Sequence, residues 1–149
     1  MMNLQEISDR LEIQQLMVDY ANALDRRDFE AMNDVFTPDA YIDYRAMGGV
    51  DGKFPEIKKW LATALKPFPN FCHLMGNVEV KVEGDTAKTK TACFNPMVMD
   101  IGGGKTQVFL LGLWYTDKVV RTPKGWRIAE RVESHCFDYN VPAGLAVTG

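Results

Sequence analysis

The chain has 149 residues with a formal net charge of −3, and 46% of its residues are hydrophobic and 25% charged. This length suits one domain, here residues 1–149, and the scattered lysines and arginines argue against a nucleic-acid partner. The longest apolar run, residues 108–113, is too short to span a bilayer, and the N-terminus lacks the features of a secretory signal, which indicates a cytoplasmic protein without a membrane partner.

The first half of the sequence predicts three helices and one short strand. Apolar residues recur every three or four positions over residues 7–24, which is typical of an amphipathic helix. Asp28 can cap a short second helix. Residues 40–46 alternate as in a strand, and Pro55 is a favourable first residue for a third helix over residues 55–68.

The second half predicts four long strands joined by short turns. The strand-like runs are residues 71–82, 86–99, 106–120 and 126–139. Helices followed by antiparallel strands indicate an α+β fold, and strands of this length coil strongly. We therefore expect a cone-shaped α+β barrel, in which a strongly curved antiparallel sheet carries three N-terminal helices over its concave face.

The first of these strands leaves the orientation of His73 open. Residues 78–82 alternate between valines and charged residues, and the same phase would place His73 on the solvent side. A glycine inside a strand often marks a bulge, and a bulge reverses the phase. Either His73 lies on the surface, or a kink at Gly76-Asn77 directs it into a cavity.

Asp25 is the most unusual polar residue of the first helix. It follows Met17 and Ala21 at four-residue steps, which places a carboxylate on the apolar stripe at the end where the helix dipole disfavours negative charge. It forms either a salt bridge with a neighbouring arginine or a hydrogen bond that orients a histidine ring. Tyr20 and Tyr44 lie in partly apolar patterns, where a phenol can donate a hydrogen bond.

Arg131 shares one face of the last strand with Glu133 and His135. Most arginines on such a face are solvated, but charge at the end of a strand can also stabilise a departing anion. His135 is a weaker candidate than His73, because nothing in the pattern pairs it with a carboxylate.

The pattern predicts no metal and no cofactor. The two histidines form no HxH or HExxH motif, and the cysteines at 72, 93 and 136 lack CxxC spacing. We expect these cysteines to be small buried apolar residues. The GGGK segment at residues 102–105 lies between two strands, so it predicts a hairpin turn instead of a phosphate-binding loop.

The order of elements and three stretches of sequence resemble the SnoaL-like group of the nuclear-transport-factor-2-like superfamily. The stretches are EIQQLMVDYANALDRRDFEAMNDVFTPDAYIDY, FCHLMGNVEV and YTDKVVRTPKGWRIAERVES. The group includes scytalone dehydratase, bile-acid 7α-dehydratase and hexachlorocyclohexane dehydrochlorinase. The resemblance covers nearly the whole chain and implies the cone-shaped fold, with His73 pointing into the cone.

The resemblance also implies roles for specific positions. The family's catalytic aspartate at the end of the first helix matches Asp25, and its catalytic histidine matches His73. The arginine that assists chloride departure in the dehydrochlorinase matches Arg131, five residues after Trp126. The match is incomplete, because Tyr20 stands where the dehydrochlorinase has a lysine.

The function that the resemblance implies is a lyase of the dehydratase or dehydrohalogenase type. Asp25 and His73 would form the general base, and Tyr20, Tyr44 or Arg131 would stabilise the developing charge on a small, apolar, cyclic molecule. The expected walls of the cavity are Met17, Trp60, Leu61, Phe94, Met97, Phe109 and Trp114.

Three alternatives stay open at this point. An isomerase or a polyketide-cyclase-type enzyme would use the same base. A non-catalytic binding module would instead pair Asp25 with an arginine, and the same cone occurs in subunits accessory to larger enzymes. Because open curved sheets with a large convex face commonly associate, we expect a homo-oligomer, either a dimer or a trimer.

Overall fold

The computed structural model describes residues 1–145 and residue 147, so positions 146, 148 and 149 of the predicted domain lie outside the described residues. The helices are α1 (Leu4–Asp25) and α2 (Phe54–Ala64), with short 3₁₀ helices at Phe29–Asp34 and Arg45–Met47. The strands are β1 (Phe36–Asp43), β2 (Asp51–Lys53), β3 (Asn70–Phe71), β4 (Leu74–Glu83), β5 (Thr86–Gly102), β6 (Lys105–Thr122) and β7 (Gly125–Tyr139).

Helix α1 confirms the predicted helix, although Ile7 and Leu11 at the start of its apolar stripe are exposed. Asn3 begins it with a capping box, in which its side chain accepts the Glu6 N–H at 2.9 Å and the Glu6 carboxylate accepts the Asn3 N–H at 2.8 Å. The buried stripe, which includes Ile13, Met17 and Tyr20, packs into the hydrophobic core. Asp25 is the last residue of the helix, as its spacing predicted.

The strands form one curved, unclosed sheet, so the predicted α+β cone is confirmed. Their order is β2-β1-β7-β6-β5-β3, and β4 pairs with another part of β5. Strands β4 to β7 pair antiparallel, as predicted, but β1 runs parallel to β7. Register shifts interrupt β4–β5, β5–β6 and β6–β7, and such bulges bend and twist long strands into a cone.

The limits of one predicted strand, the type of one predicted helix and the end of another differ from those in the structure. The predicted strand 40–46 begins at Phe36, where β1 pairs with β7, and ends at Asp43, whose carboxylate accepts the Arg45 N–H at 3.0 Å and starts a turn. The second helix is of the 3₁₀ type, with Asp28 as its cap as predicted. The third helix ends at Ala64 instead of residue 68.

The predicted strand 71–82 is divided at Cys72 and His73. A bulge lies between Gly76 and Val78, with Asn77 at a φ of 45°, which confirms the predicted change of phase. However, His73 leaves the ladder before that bulge, because its backbone N–H donates to the Asp25 carboxylate. The orientation of His73 is therefore determined by a contact with α1.

Alternation along β5 and β6 separates an inner face from an outer face. The outer face carries partly exposed apolar side chains, among them Leu74, Phe94, Phe137 and Tyr139. The homo-oligomer stays a prediction, and this apolar outer face is compatible with it. Within the described residues, no helix is long and apolar enough to cross a membrane.

Asp9 forms a buried polar contact between α1 and the far end of the sheet. Its carboxylate accepts two hydrogen bonds from Arg121, at 2.8 and 3.0 Å, and one from the Trp126 indole at 3.1 Å. The Arg121 hydrogen bonds lower the pKa of Asp9 from 3.8 to about 2, against the opposing effect of burial and with support from Trp126.

We expect Asp9→Asn to lower stability at pH 7 and to flatten its decline in acid. A carboxyl whose pKa is depressed by folding stabilises the protein above pH 3.8, and that stabilisation is lost as the pH falls towards about 2. The measurement is the urea midpoint at pH 7, 4 and 3, with Asp39→Asn on the exposed part of β1 as control. A variant with the same pH dependence as the parent protein would contradict the prediction.

Candidate active site

A cavity of about 260 Å³ lies inside the cone. Its apolar wall comes from α1, α2, β5 and β6, and includes Leu24, Trp60, Leu61, Met97, Leu111 and Leu113. Its polar lining consists of Tyr20, Tyr44, His73, Asn95, Tyr115 and Glu133. An apolar pocket with a few convergent polar groups is the usual form of a small-molecule site, and this volume suits a molecule of about one ring.

Asp25 and His73 form a close hydrogen-bonded pair at this cavity. The Asp25 Oδ1 lies 2.7 Å from Nδ1 of His73, and the carboxylate also accepts the His73 backbone N–H at 3.1 Å. Because a carboxylate can only accept, Nδ1 carries the hydrogen, and in the neutral imidazole Nε2 then presents a lone pair. No other residue in the described part of the chain bonds to this ring.

The side chains of Asp25 and His73 differ in their solvent exposure. The His73 side chain is 8% exposed and lines the cavity, whereas the Asp25 side chain is 27% exposed and lies behind the ring. The expected burial of Asp25 on the apolar stripe is therefore only partial. Arg27, one of the neighbouring arginines that a salt bridge could use, donates instead to the Leu65 and Phe68 carbonyls.

Three phenols form a hydrogen-bonded group across the cavity. The hydroxyl of Tyr20 lies 2.6 Å from that of Tyr44 and 3.5 Å from that of Tyr115. Burial raises the pKa of Tyr20 to about 12, although Arg131 acts in the opposite direction. Burial likewise raises the pKa of Tyr44 and of Tyr115 well above the usual value. The phenols therefore stay protonated and remain hydrogen-bond donors at neutral pH.

Arg131 lies behind these phenols and does not line the cavity. It is fully buried, and both Nε and Nη2 donate to the Asp117 carboxylate at 2.8 Å. Its guanidinium lies 4.2 Å from the ring centres of both Tyr20 and Tyr115. Burial would lower the pKa of Arg131, but the ion pair with Asp117 outweighs burial and raises it. Arg131 was expected to contact a departing anion directly. The structure instead places it outside the lining, beneath Tyr20 and Tyr115, which form the floor of the cavity.

Glu133 is a polar lining residue that the sequence patterns did not single out for function. It lies on the inner face of β7, two residues after Arg131, and its Oε2 is buried with no hydrogen-bond partner in the described part of the chain. Burial raises the pKa of Glu133 well above the usual value, whereas Arg131 acts to lower it.

Three of the seven expected wall residues line the cavity: Trp60, Leu61 and Met97. Phe94 and Trp114 do not, because the alternating partners Cys93 and Leu113 occupy the buried face of β5 and β6. Phe94 stacks on Phe137 on the outer side, and Lys90 lies over the Trp114 ring. The expectation for both residues is therefore corrected.

The other two expected wall residues belong to the core. Met17 is buried, and its sulfur accepts a hydrogen bond from Arg131 at 3.1 Å. Phe109 is buried against Phe68, which itself lines the cavity. Both residues support the cavity from behind and are outside its lining.

The lining residues of β5 and β6 that the sequence analysis missed could have been found from the strict alternation of inward-facing and outward-facing side chains along a strand. A phase that starts from Tyr115 places Leu113 and Leu111 on the same inner face, and Asn95 follows from the register between β5 and β6. Of the three cysteines expected to be buried, only Cys93 is; Cys72 and Cys136 are exposed. In the described residues, no cluster of three His, Cys, Asp or Glu side chains suits a metal ion.

Comparison with known proteins places the chain among similar sequences and folds. A family model described as the SnoaL-like domain matches residues 5–132. An uncharacterised protein of Mycobacterium tuberculosis is 58% identical over 137 residues, which cover 92% of each chain. A solved structure from Novosphingobium aromaticivorans, described as a candidate aromatic ring hydroxylase, is 30% identical, with a TM-score of 0.79 and coverage of 88% of this chain and 91% of that chain.

More distant sequences share the same fold. The type 2 hexachlorocyclohexane dehydrochlorinase has a TM-score of 0.80 at 20% identity, and the alignment covers 94% of this chain and 93% of that chain. This likeness shows the fold, and it agrees with the cone-shaped α+β fold that the sequence predicted.

We expect Asp117→Asn to destabilise the protein by about 3–5 kcal/mol, because it leaves the buried Arg131 guanidinium without a counter-charge. The measurement is the free energy of unfolding in urea. Glu130→Gln is the matched control on β7, since Glu130 pairs with Lys118 on the surface at 3.2 Å and its loss should cost less than about 1 kcal/mol. Equal stability of the two variants would show that the buried pair does not support the floor.

Proposed function

Because this chain belongs to the SnoaL-like domain family, we propose that it is a cofactor-independent lyase. Its substrate would be a small, largely apolar ring from which a proton and a leaving group depart. The observation that carries the proposal is the 2.7 Å hydrogen bond between Asp25 and Nδ1 of His73, with the ring of His73 on the cavity wall.

In the proposed mechanism His73 is the base and Asp25 is its positioning residue. Asp25 holds the hydrogen on Nδ1, so the lone pair of Nε2 accepts a proton from a carbon atom of the ligand. Electrons from the broken C–H bond form a carbon–carbon double bond as the leaving group departs. The backbone N–H of His73, which also donates to Asp25, limits rotation of the residue away from the cavity.

The phenols would stabilise the negative charge that develops on the ligand. Tyr20, Tyr44 and Tyr115 line the cavity, and their raised pKa values keep the hydrogens needed for donation. Arg131 would act through them, because its positive charge lies against the faces of Tyr20 and Tyr115. Arg131 is therefore a positioning residue in this proposal, not one that touches the ligand.

Elimination is preferred to the other reactions of the same base. The name of the dehydrochlorinase with this fold describes loss of hydrogen chloride from a chlorinated cyclohexane ring, which supports a ring substrate for a cavity of about 260 Å³. An isomerase would return the proton to another carbon atom of the ligand without loss of a leaving group. A binding module would hold the ring unchanged.

We expect Asp25→Asn and His73→Gln each to reduce elimination from 3-chlorocyclohexanone by about 10²–10⁴-fold in kcat, the usual contribution of a general base. The measurement is the absorbance of the product 2-cyclohexenone, corrected for the rate in buffer. His135→Gln and Asp138→Asn are the matched controls, because these residues form another pair at 2.8 Å outside the cavity lining.

The ¹⁵N shifts of the His73 ring provide a structural readout of the same variants. They should show the hydrogen on Nδ1 in the parent protein and its loss from Nδ1 in Asp25→Asn. Elimination that survives both Asp25→Asn and His73→Gln would refute the proposed base. Conversion of 3-cyclohexenone to 2-cyclohexenone with no elimination activity would favour an isomerase.

A further inference from the structure

Among the described residues, Glu133 is the one carboxyl group in the cavity lining, and its environment differs from that of Asp25. Its Oε2 is buried and has no hydrogen-bond partner among the described residues. A buried polar atom without a partner is costly, so such an atom in a cavity wall points to a partner that the ligand supplies.

Burial raises the pKa of Glu133 and so favours its neutral form, whereas Arg131 and a hydrogen bond from the Met47 backbone act to lower that pKa. Arg131 is the nearest positive group on β7, but both Asp117 oxygens already accept its hydrogen bonds. An ionised Glu133 would therefore leave a net negative charge in the interior, and the Asp43 carboxylate would oppose it further. A neutral Glu133 leaves the Arg131–Asp117 pair electrically balanced.

The phenols cannot replace Glu133 as a source of protons. Burial raises the pKa of Tyr20 to about 12, so loss of its proton is unfavourable at neutral pH. At equal burial a carboxylic acid is the stronger acid, because the unperturbed pKa is about 4.3 for a glutamic acid and about 10 for a phenol. The titratable groups that interact with Glu133 come from all sides of the cavity: Tyr20 from α1, Asp43 and Tyr44 from the end of β1, Cys93 from β5, Tyr115 from β6 and Arg131 from β7.

We propose that Glu133 is held as a neutral carboxylic acid and donates its proton to a hydroxyl oxygen that leaves the substrate. This inference rests on the proposed lyase function and names the substrate class: a ring with a hydroxyl group on the carbon next to the one that loses its proton. Hydroxide is a poor leaving group and needs a proton, whereas chloride leaves without one.

The step balances in atoms and charge. His73 takes a proton from carbon, the electrons of that C–H bond form the double bond, and the C–O bond breaks towards oxygen. The Glu133 proton passes to that oxygen, and water departs. His73 then returns its proton to the Glu133 carboxylate through solvent, so both groups regain their initial states.

The first test measures the protonation of Glu133 without any substrate. Side-chain carboxyl carbons labelled with ¹³C are followed by NMR from pH 4 to pH 9, and the Glu133 signal is the one missing in Glu133→Gln. We expect this signal to keep the protonated shift at pH values where the other glutamates have ionised. A Glu133 signal that titrates together with the exposed glutamates overturns the proposal.

The second test compares two leaving groups on one ring. 3-Hydroxycyclohexanone and 3-chlorocyclohexanone both give 2-cyclohexenone, so one absorbance assay serves both. We expect Glu133→Gln to lower kcat for the hydroxy compound by about 10²–10⁴-fold and to change kcat for the chloro compound by less than 10-fold. Glu133→Leu should do the same, and Glu130→Gln on the same strand should leave both rates unchanged.

The outcomes separate this inference from the proposed function. Equal effects of Glu133→Gln on the two compounds, or no effect on either, would overturn the role of Glu133 while the Asp25–His73 base stands. If the parent protein eliminates neither compound faster than buffer, the proposed function fails for these rings, and the NMR titration then decides whether Glu133 is held neutral. Unfolding curves of each variant exclude loss of structure as the cause.

Discussion

A buried arginine holds the floor of the cavity together. Arg131 is fully enclosed, pairs with Asp117 and lies 4.2 Å from the ring centres of both Tyr20 and Tyr115. Because a buried guanidinium must keep its counter-ion, α1, β6 and β7 are held in one relative position at this level. The Tyr20 hydroxyl is thereby kept 2.6 Å from that of Tyr44 on the opposite side. The hydrogen-bond donors of the cavity thus depend on a charge that lies beneath its lining.

The long helix and the long strands could be predicted because apolar residues recur along each of them at the spacing of its own type of secondary structure. Helix α1 and strands β5 to β7 repeat apolar residues often enough for local sequence to determine their type. The irregular positions could not be predicted in this way. β1 begins early because Phe36 pairs with Ile128 on β7, and His73 leaves its ladder because Asp25 accepts its N–H. Both contacts join distant parts of the chain, so no local pattern contains them.

The residues of the candidate site also differ in whether the local sequence could identify them. Asp25 and His73 could be identified from helix spacing and family resemblance, since each occupies a characteristic place in the element order. The position of Arg131 could not, because its partner Asp117 lies opposite it on the neighbouring strand and only the sheet register brings them together. Phe94 was placed inside because its aromatic character was given more weight than strand alternation, and the observed phase shows that alternation is the stronger constraint.

Asp25 and Glu133 are carboxyl groups in contrasting environments, because Asp25 accepts several hydrogen bonds whereas one oxygen of Glu133 accepts none from the described residues. Asp25 lies at the open end of α1 and accepts two N–H groups of one histidine, so it is suited to orient a base. Glu133 lies near an arginine that is already paired with Asp117, and burial raises its pKa, so it is suited to the proposed role of a proton donor. The Asp25–His73 hydrogen bond and the Arg131–Asp117 ion pair involve no atom of Glu133. With Glu133 as the proposed acid, a change at that position would alter which leaving group can depart while the proposed base keeps its geometry, which is one physical route by which a single fold accommodates several eliminations.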